Sequence, residues 1–184
     1  MTTQHPLHLA VAETIAQQLP DRYKLLRDPA CGGAQHLPLF VGPQKRRATR
    51  MCCVDLLILA AGKVRGIIEI EESDFKPTKI CGKFFQAALA THFIHASHPE
   101  GPISYADQVS FIQVLDSSKF LKLGSRKDAQ AEVIEQEVQD LLPVRGITEY
   151  HLFFVSGKND KNGLAEVGKI VRQMNNYQPE VIKG

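Results

Sequence analysis

The stretch GIIEIEES sets Glu69 and Glu71 two residues apart, with Ile68 and Ile70 interleaved. In a β-strand residues i and i+2 face the same way, so both acids project to one side and the isoleucines to the other. Upstream, Asp55 interrupts the apolar run MCCVDLLILAAG. An acid in such a run is costly to bury unless it is paired, hydrogen-bonded or bound to a cation. The two runs join through Gly62, and positions 55 and 69 are equidistant from it, so a hairpin turning there sets Asp55 opposite Glu69, at the edge of a central sheet. Three converging carboxylates repel unless a proton or cation intervenes, and hard oxygen donors in open geometry suit Mg2+ or Mn2+ rather than zinc. The competing reading is an exposed acidic strand face, common at sheet edges.

Other residues fall in suggestive places. Lys76, Lys79 and Lys83 occur at i, i+3 and i+7, on one face of the helix expected after the acidic strand, and Gln86 continues that line. QKRRATR concentrates Lys45, Arg46, Arg47 and Arg50 just before the Asp-bearing strand, where they could grip phosphates beside a metal; a solvated basic loop is the plainer alternative. Glu13, on the opening helix, is a possible further acid. His92, His95 and His98 recur every third residue near that later helix's end, so two could share a face and chelate a metal. GKNDKNG reads as a turn, and no glycine cluster forms a P-loop or dinucleotide fingerprint.

The elements that must position these residues follow from periodicity. Leu7, Val11, Ile15 and Leu19 predict an amphipathic helix from Pro6 towards Pro20. Residues 22–41 suit a short strand and loops. The β-rich runs around Asp55 and Glu69 form the hairpin, and Pro77 opens a long helix expected to end near His98. QVSFIQVLD predicts a strand, residues 126–142 a helix, EYHLFFVSG a strand and LAEVGKIVRQMNNY a closing helix. This order predicts one α/β domain over residues 1–184, a mixed sheet with helices on both faces. Its 184 residues, 43% hydrophobic and 23% charged, suffice for a core, and 22 basic against 20 acidic side chains leave any electrostatic preference local. No segment approaches a membrane span or a basic leader, so a cytoplasmic protein is expected. Cys31, Cys52, Cys53 and Cys81 lack C-x-x-C spacing and are expected to be plain buried thiols.

An Asp in one strand, a short hairpin connection, then an apolar stretch ending in Glu-x-Lys or a variant and followed by a helix resembles the PD-(D/E)XK nuclease superfamily. The resembling stretch is VDLLILAAGKVRGIIEIEES plus the next helix. The resemblance implies a restriction-endonuclease-like αβββαβ core and Mg2+-dependent (or Mn2+-dependent) hydrolysis of DNA phosphodiester bonds, of restriction or repair type, with a homodimer as a possible state. Asp55 and Glu69 become the metal-binding acids, and Glu71, a further ligand or orienter of the attacking water, stands where the family usually has lysine. Some restriction endonucleases carry Glu there, and relatives similar to the very-short-patch endonucleases also carry an acid. Lys79 or Lys83 would then replace the missing lysine, Glu13 would add a metal ligand, and Lys45, Arg46, Arg47, Arg50, Lys76 and Gln86 would contact DNA. The alternative is a catalytically silent domain of the same fold that binds nucleic acid or protein. A metal-dependent hydrolase of small molecules is a weaker third reading.

Overall fold

The computed structural model describes residues 5–73, 76–119 and 126–174. In chain order the elements are α1 (Pro6–Gln18), β1 (Tyr23–Arg27), β2 (Leu37–Phe40), β3 (Arg50–Val54), β4 (Leu56–Ala60), β5 (Lys63–Glu71), α2 (Pro77–Leu89), β6 (His92–Phe93), β7 (Ile103–Asp116), α3 (Lys127–Asp140), β8 (Ile147–Val155) and α4 (Lys161–Gln173). β1, β4 and β5 form an antiparallel meander, and β7 and β8 continue it in parallel. The first residues of β7 pair with β6, which leads through β2 to β3 in an antiparallel extension. The sheet is therefore mixed and mostly antiparallel, and the α/β expectation holds.

Alternation along the strands sorts the apolar side chains into two layers. Leu57, Ile67, Phe111 and Tyr150 pack with Phe84 of α2 and Val138 of α3. Ile58, Ile68 and Ile112 pack with Leu7, Val11 and Ile15 of α1 and Val171 of α4. Phe84 is fully buried, its ring edge-on to Phe111 at 5.5 Å and Tyr150 at 5.4 Å; truncating such a side chain to Ala costs about 3–5 kcal/mol. Glu69 and Glu71 share the parity of Ile67, so they face α2.

The β4–β5 connection is a two-residue turn in which Ala61 (φ 49°) and Gly62 (φ 73°) are both left-handed, the conformation that suits strand twist. Taken alone, that turn pairs Ala60 with Lys63 and would set Asp55 opposite Ile68. A bulge at Arg65 shifts the register to Ile58 with Gly66 and Leu56 with Ile68, which brings Asp55 level with Glu69. The expected juxtaposition is present, but the bulge creates it.

Several boundaries differ from expectation. The run MCCVDLLILA is two strands, because the chain bends at Asp55 and changes partners: β3 pairs with β2, β4 with β1 and β5. The helix expected to reach His98 stops at Leu89. Beyond it, Thr91 N–H donates to Phe40 O and Thr91 O accepts from Tyr105 N–H, both at 2.9 Å, so sheet bonding to β2 and β7 outweighs helical periodicity. His92 then lies in β6, His95 stacks on Phe93 at 6.5 Å, and the three histidines share no helical face. β7 begins at Ile103, five residues earlier than expected. The closing helix starts at Lys161, and its expected last residues, 175–177, lie outside the described residues. Only Cys31 among the cysteines is buried; Cys53 is exposed, and all four are free thiols.

Candidate metal centre

Glu69 sits near the carboxyl end of β5, with β4 on one side and β7 on the other, so it is not on an edge strand. It is 4% exposed and Glu71 is 9%, which rules out the solvated acidic face. Where the chain turns from β3 into β4, Asp55 Oδ2 accepts a 2.7 Å hydrogen bond from Ile70 N–H, and Asp55 O accepts from Asp28 N–H at 2.9 Å. These bonds fix the bend and hold the carboxyl beside Glu69, close enough for its charge to act on that residue. The acids stand at the carboxyl ends of the parallel strands, the end of an α/β sheet at which ligands bind.

α2 supplies the counter-charges. Lys83 Nζ lies 2.6 Å from Glu69 Oε2 and 3.9 Å from Glu71 Oε2. One turn earlier, Lys79 Nζ pairs with Glu71 Oε2 and donates to Ser73 Oγ at 2.9 Å. The i, i+4 spacing of the two lysines delivers one to each glutamate.

Charge does not balance. Lys79 answers Glu71, but Lys83 faces both Asp55 and Glu69. Burial, with the Asp55 charge adding to it, pushes Glu69 up to about 8, although Lys83 opposes the rise. Burial also raises Asp55, against the pull of Lys83 and the Ile70 N–H. Burial would lower Lys83, but the three carboxylates together raise it, so the ammonium stays charged. Glu71 is held below the ordinary carboxylate range: burial pushes up, and hydrogen bonds from Lys79 and Ser73 outweigh it. A proton therefore rests in the Asp55–Glu69 pair at neutral pH, and the acids offer only carboxylate oxygen, the donor type that Mg2+ or Mn2+ prefers over zinc.

His8 of α1 stands behind Asp55, its Nε2 3.8 Å from Asp55 Oδ2 and its Nδ1 2.8 Å from Glu72 Oε1. Glu72 also accepts the N–H groups of Leu7 at 3.0 Å and His8 at 3.1 Å, capping a helix whose N-cap residue, His5, offers no side-chain bond. His8 pulls Glu72 down in spite of burial. On β7, Gln113 is level with Glu69, 1% exposed and anchored by Tyr150 OH at 2.7 Å. Sequence reasoning missed His8, Glu72 and Gln113. A histidine at the start of α1 carries no mark of its distance from Asp55; a glutamine amid the apolar run of β7 was the one legible hint.

The remaining expected site residues lie apart from the acids. Glu13 is exposed on α1, with no contact to the three acids. Lys76, just ahead of α2, and Gln86 on α2 are exposed and do not reach them either. Lys45, Arg46 and Arg47 are exposed in the β2–β3 connection, and Arg50 is exposed as the first residue of β3. That loop is ordered by Val41 N–H to Thr49 O at 2.8 Å and by Thr49 Oγ1 to Gln44 O at 2.8 Å. The loop joins the far end of β3, roughly 15 Å of strand from Asp55, so it does not stand beside the acids.

A cleft of about 200 Å³ lies at the opposite, hairpin end of the sheet, lined by residues including Tyr23, Arg65, Gln108, Glu149 and His151. Its polar groups answer one another: Arg65 donates to Gln108 O at 3.1 Å, and Ser110 donates to Glu149, which His151 also faces. Comparison with protein families, with curated proteins and with solved structures finds no match to this chain. No helix among the described residues is long and apolar enough to cross a membrane.

Proposed function

We propose that the chain is a metal-dependent nuclease that hydrolyses DNA phosphodiester bonds at the Asp55–Glu69–Glu71 cluster. The observation that carries this reading is the buried Asp55–Glu69 carboxyl pair, short of one positive charge and faced by Lys83. The succession α1, β1, β4, β5, α2, β7, with β2 and β3 inserted after β1, supports a restriction-endonuclease-like αβββαβ core. Asp55 before the second meander strand and Glu69 on the third fit the resembling motif, with Glu71 at the position usual for lysine.

Asp55 and Glu69 would hold the cation, and Glu71 would orient water or complete the ligand set. A Mg2+ or Mn2+ bound there supplies a deprotonated water and charge stabilisation on the phosphoryl oxygens. Lys83, rather than Lys79, takes the part of the displaced lysine, because it already reaches the Asp55–Glu69 pair while Lys79 is committed to Glu71 and Ser73. Exposed Lys45, Arg46, Arg47 and Arg50 extend the phosphate contacts two or three nucleotides away, and Lys76 and Gln86 border α2. A homodimer would present one such centre to each strand of a duplex.

The test is cleavage of plasmid, linear duplex and single-stranded DNA with Mg2+, Mn2+ or EDTA. Wild type cuts only with the metal; Glu69→Gln and Lys83→Met lose at least about 100-fold while keeping their circular dichroism. Metal-independent cutting, or full activity in Glu69→Gln, overturns the assignment. No cleavage of any substrate, with no Mn2+ uptake by the wild-type chain, would favour a silent nucleic-acid- or protein-binding module instead.

A further inference from the structure

Among the described residues, one group outside the acidic cluster has the composition of a transition-metal site. His5, His8 and Glu72 offer two imidazole nitrogens and a carboxylate oxygen, all within 4.8 Å of one another. His8 is 7% exposed, and its ring stands edge-on to that of His5 with centroids 5.0 Å apart. Capping of α1 accounts for Glu72 and for His8, but not for His5, which gives the helix no side-chain bond. We propose that these three residues bind a divalent cation of the zinc class, at a site distinct from the carboxylate–lysine cluster.

The ligand chemistry separates the two sites. Two imidazoles and one carboxylate form a donor set typical of Zn2+ with an open fourth position, whereas the oxygen-only cluster suits Mg2+ or Mn2+. Tetrahedral bonds of about 2.1 Å place ligand atoms roughly 3.4 Å apart. His8 Nδ1 and Glu72 Oε1, now 2.8 Å apart, need only open slightly as the cation takes the place of the shared proton. His5 must swing inward, which its position ahead of the first helical turn permits. The positive end of the helix dipole works against a cation there, and the Glu72 charge offsets it.

His8 Nε2 then carries the proton and faces Asp55 Oδ2, now 3.8 Å away, the outer-carboxylate arrangement that orients metal-bound histidines. Filling this site ties the start of α1 to the end of β5. Through His8 it also fixes the attitude of Asp55.

The experiment is a Co2+ titration of the full chain carrying Glu69→Gln, which weakens the acidic cluster as a competing site, followed by visible absorption and equilibrium dialysis. The expected result is one Co2+ per chain with d–d bands of nitrogen ligation, displaced by Zn2+, and affinity at least about tenfold weaker when His5→Ala is added. His5→Ala removes no cap, so its fold should persist, as circular dichroism would verify. Absence of stoichiometric uptake, or equal affinity with and without His5, overturns the proposal. Mn2+ binding and cleavage by the otherwise wild-type chain report separately on the acidic cluster, so the two readings fail independently.

Discussion

Glu69 lies between two demands: burial and Asp55 favour its neutral form, and Lys83 favours its charged one. With its folded value near 8 against 4.5 for an ordinary glutamate, the folded chain keeps a proton that the unfolded chain has lost. The sign follows: this contribution to stability is complete below about pH 4.5 and disappears as pH rises through 8. Without metal, the free energy of unfolding should therefore fall between pH 5 and 8 by up to about 1.4 kcal/mol per unit. Saturating Mn2+ should reverse the fall by taking the proton's place, and Glu69→Gln should flatten it. Urea unfolding at three pH values decides the matter; a wild-type slope reproduced by Glu69→Gln would locate the proton elsewhere. Glu71 and Glu72, both lowered, act oppositely: their contributions hold above the ordinary carboxylate range and fade as pH drops.

At the scale of elements, the hairpin is the part on which the centre depends. Ala61 adopts a left-handed conformation that disfavours a side chain, and a bulge four residues later sets the register. Ala61→Gly should stabilise the chain by about 1 kcal/mol, since the penalty removed exceeds the entropy added to the unfolded state. Thermal melts would show this as a Tm several degrees higher, and an unchanged or lower Tm would mean the turn is not strained. The hairpin was legible because β-rich runs flank Gly62. The bulge was not, because only the pairing of β5 with Leu56–Ala60 of β4 reveals which residue of β5 is extra. α2's early stop was likewise hidden: His92 and Phe93 continue an apolar spacing, and it is their hydrogen bonding to β2 and β7 that makes them strand.

For the molecule as a whole, the near-zero net charge conceals a local asymmetry. The acids and two lysines form an inward-facing cluster, while Lys45, Arg46, Arg47 and Arg50 are displayed outward from the far end of β3. If that loop holds phosphates, Arg46→Gln with Arg47→Gln should weaken duplex binding most at low salt. The double change should also reduce the slope of log affinity against log salt by about 1–2. Fluorescence anisotropy at several salt concentrations reads the slope; an unaltered one would leave the loop as solvated surface. Cleavage chemistry at saturating DNA should survive, since these side chains lie roughly 15 Å of strand from Asp55.

Local pattern by itself determined the helices at Pro6 and Pro77, the hairpin, the mixed α/β plan and the shared face of Glu69 and Glu71, because each depends on residues close in the chain. Tertiary structure decided the rest. Whether the acids were buried depended on β7 covering the other side of β5, and the choice of Lys83 over Lys76 depended on where α2 crosses the sheet. The partnership of His8 with Asp55 and Glu72 spans 47 and 64 residues and was set by how α1 packs against the strand ends. Such long-range pairings leave no periodicity in the chain, since the residues that meet are brought together by packing and not by spacing.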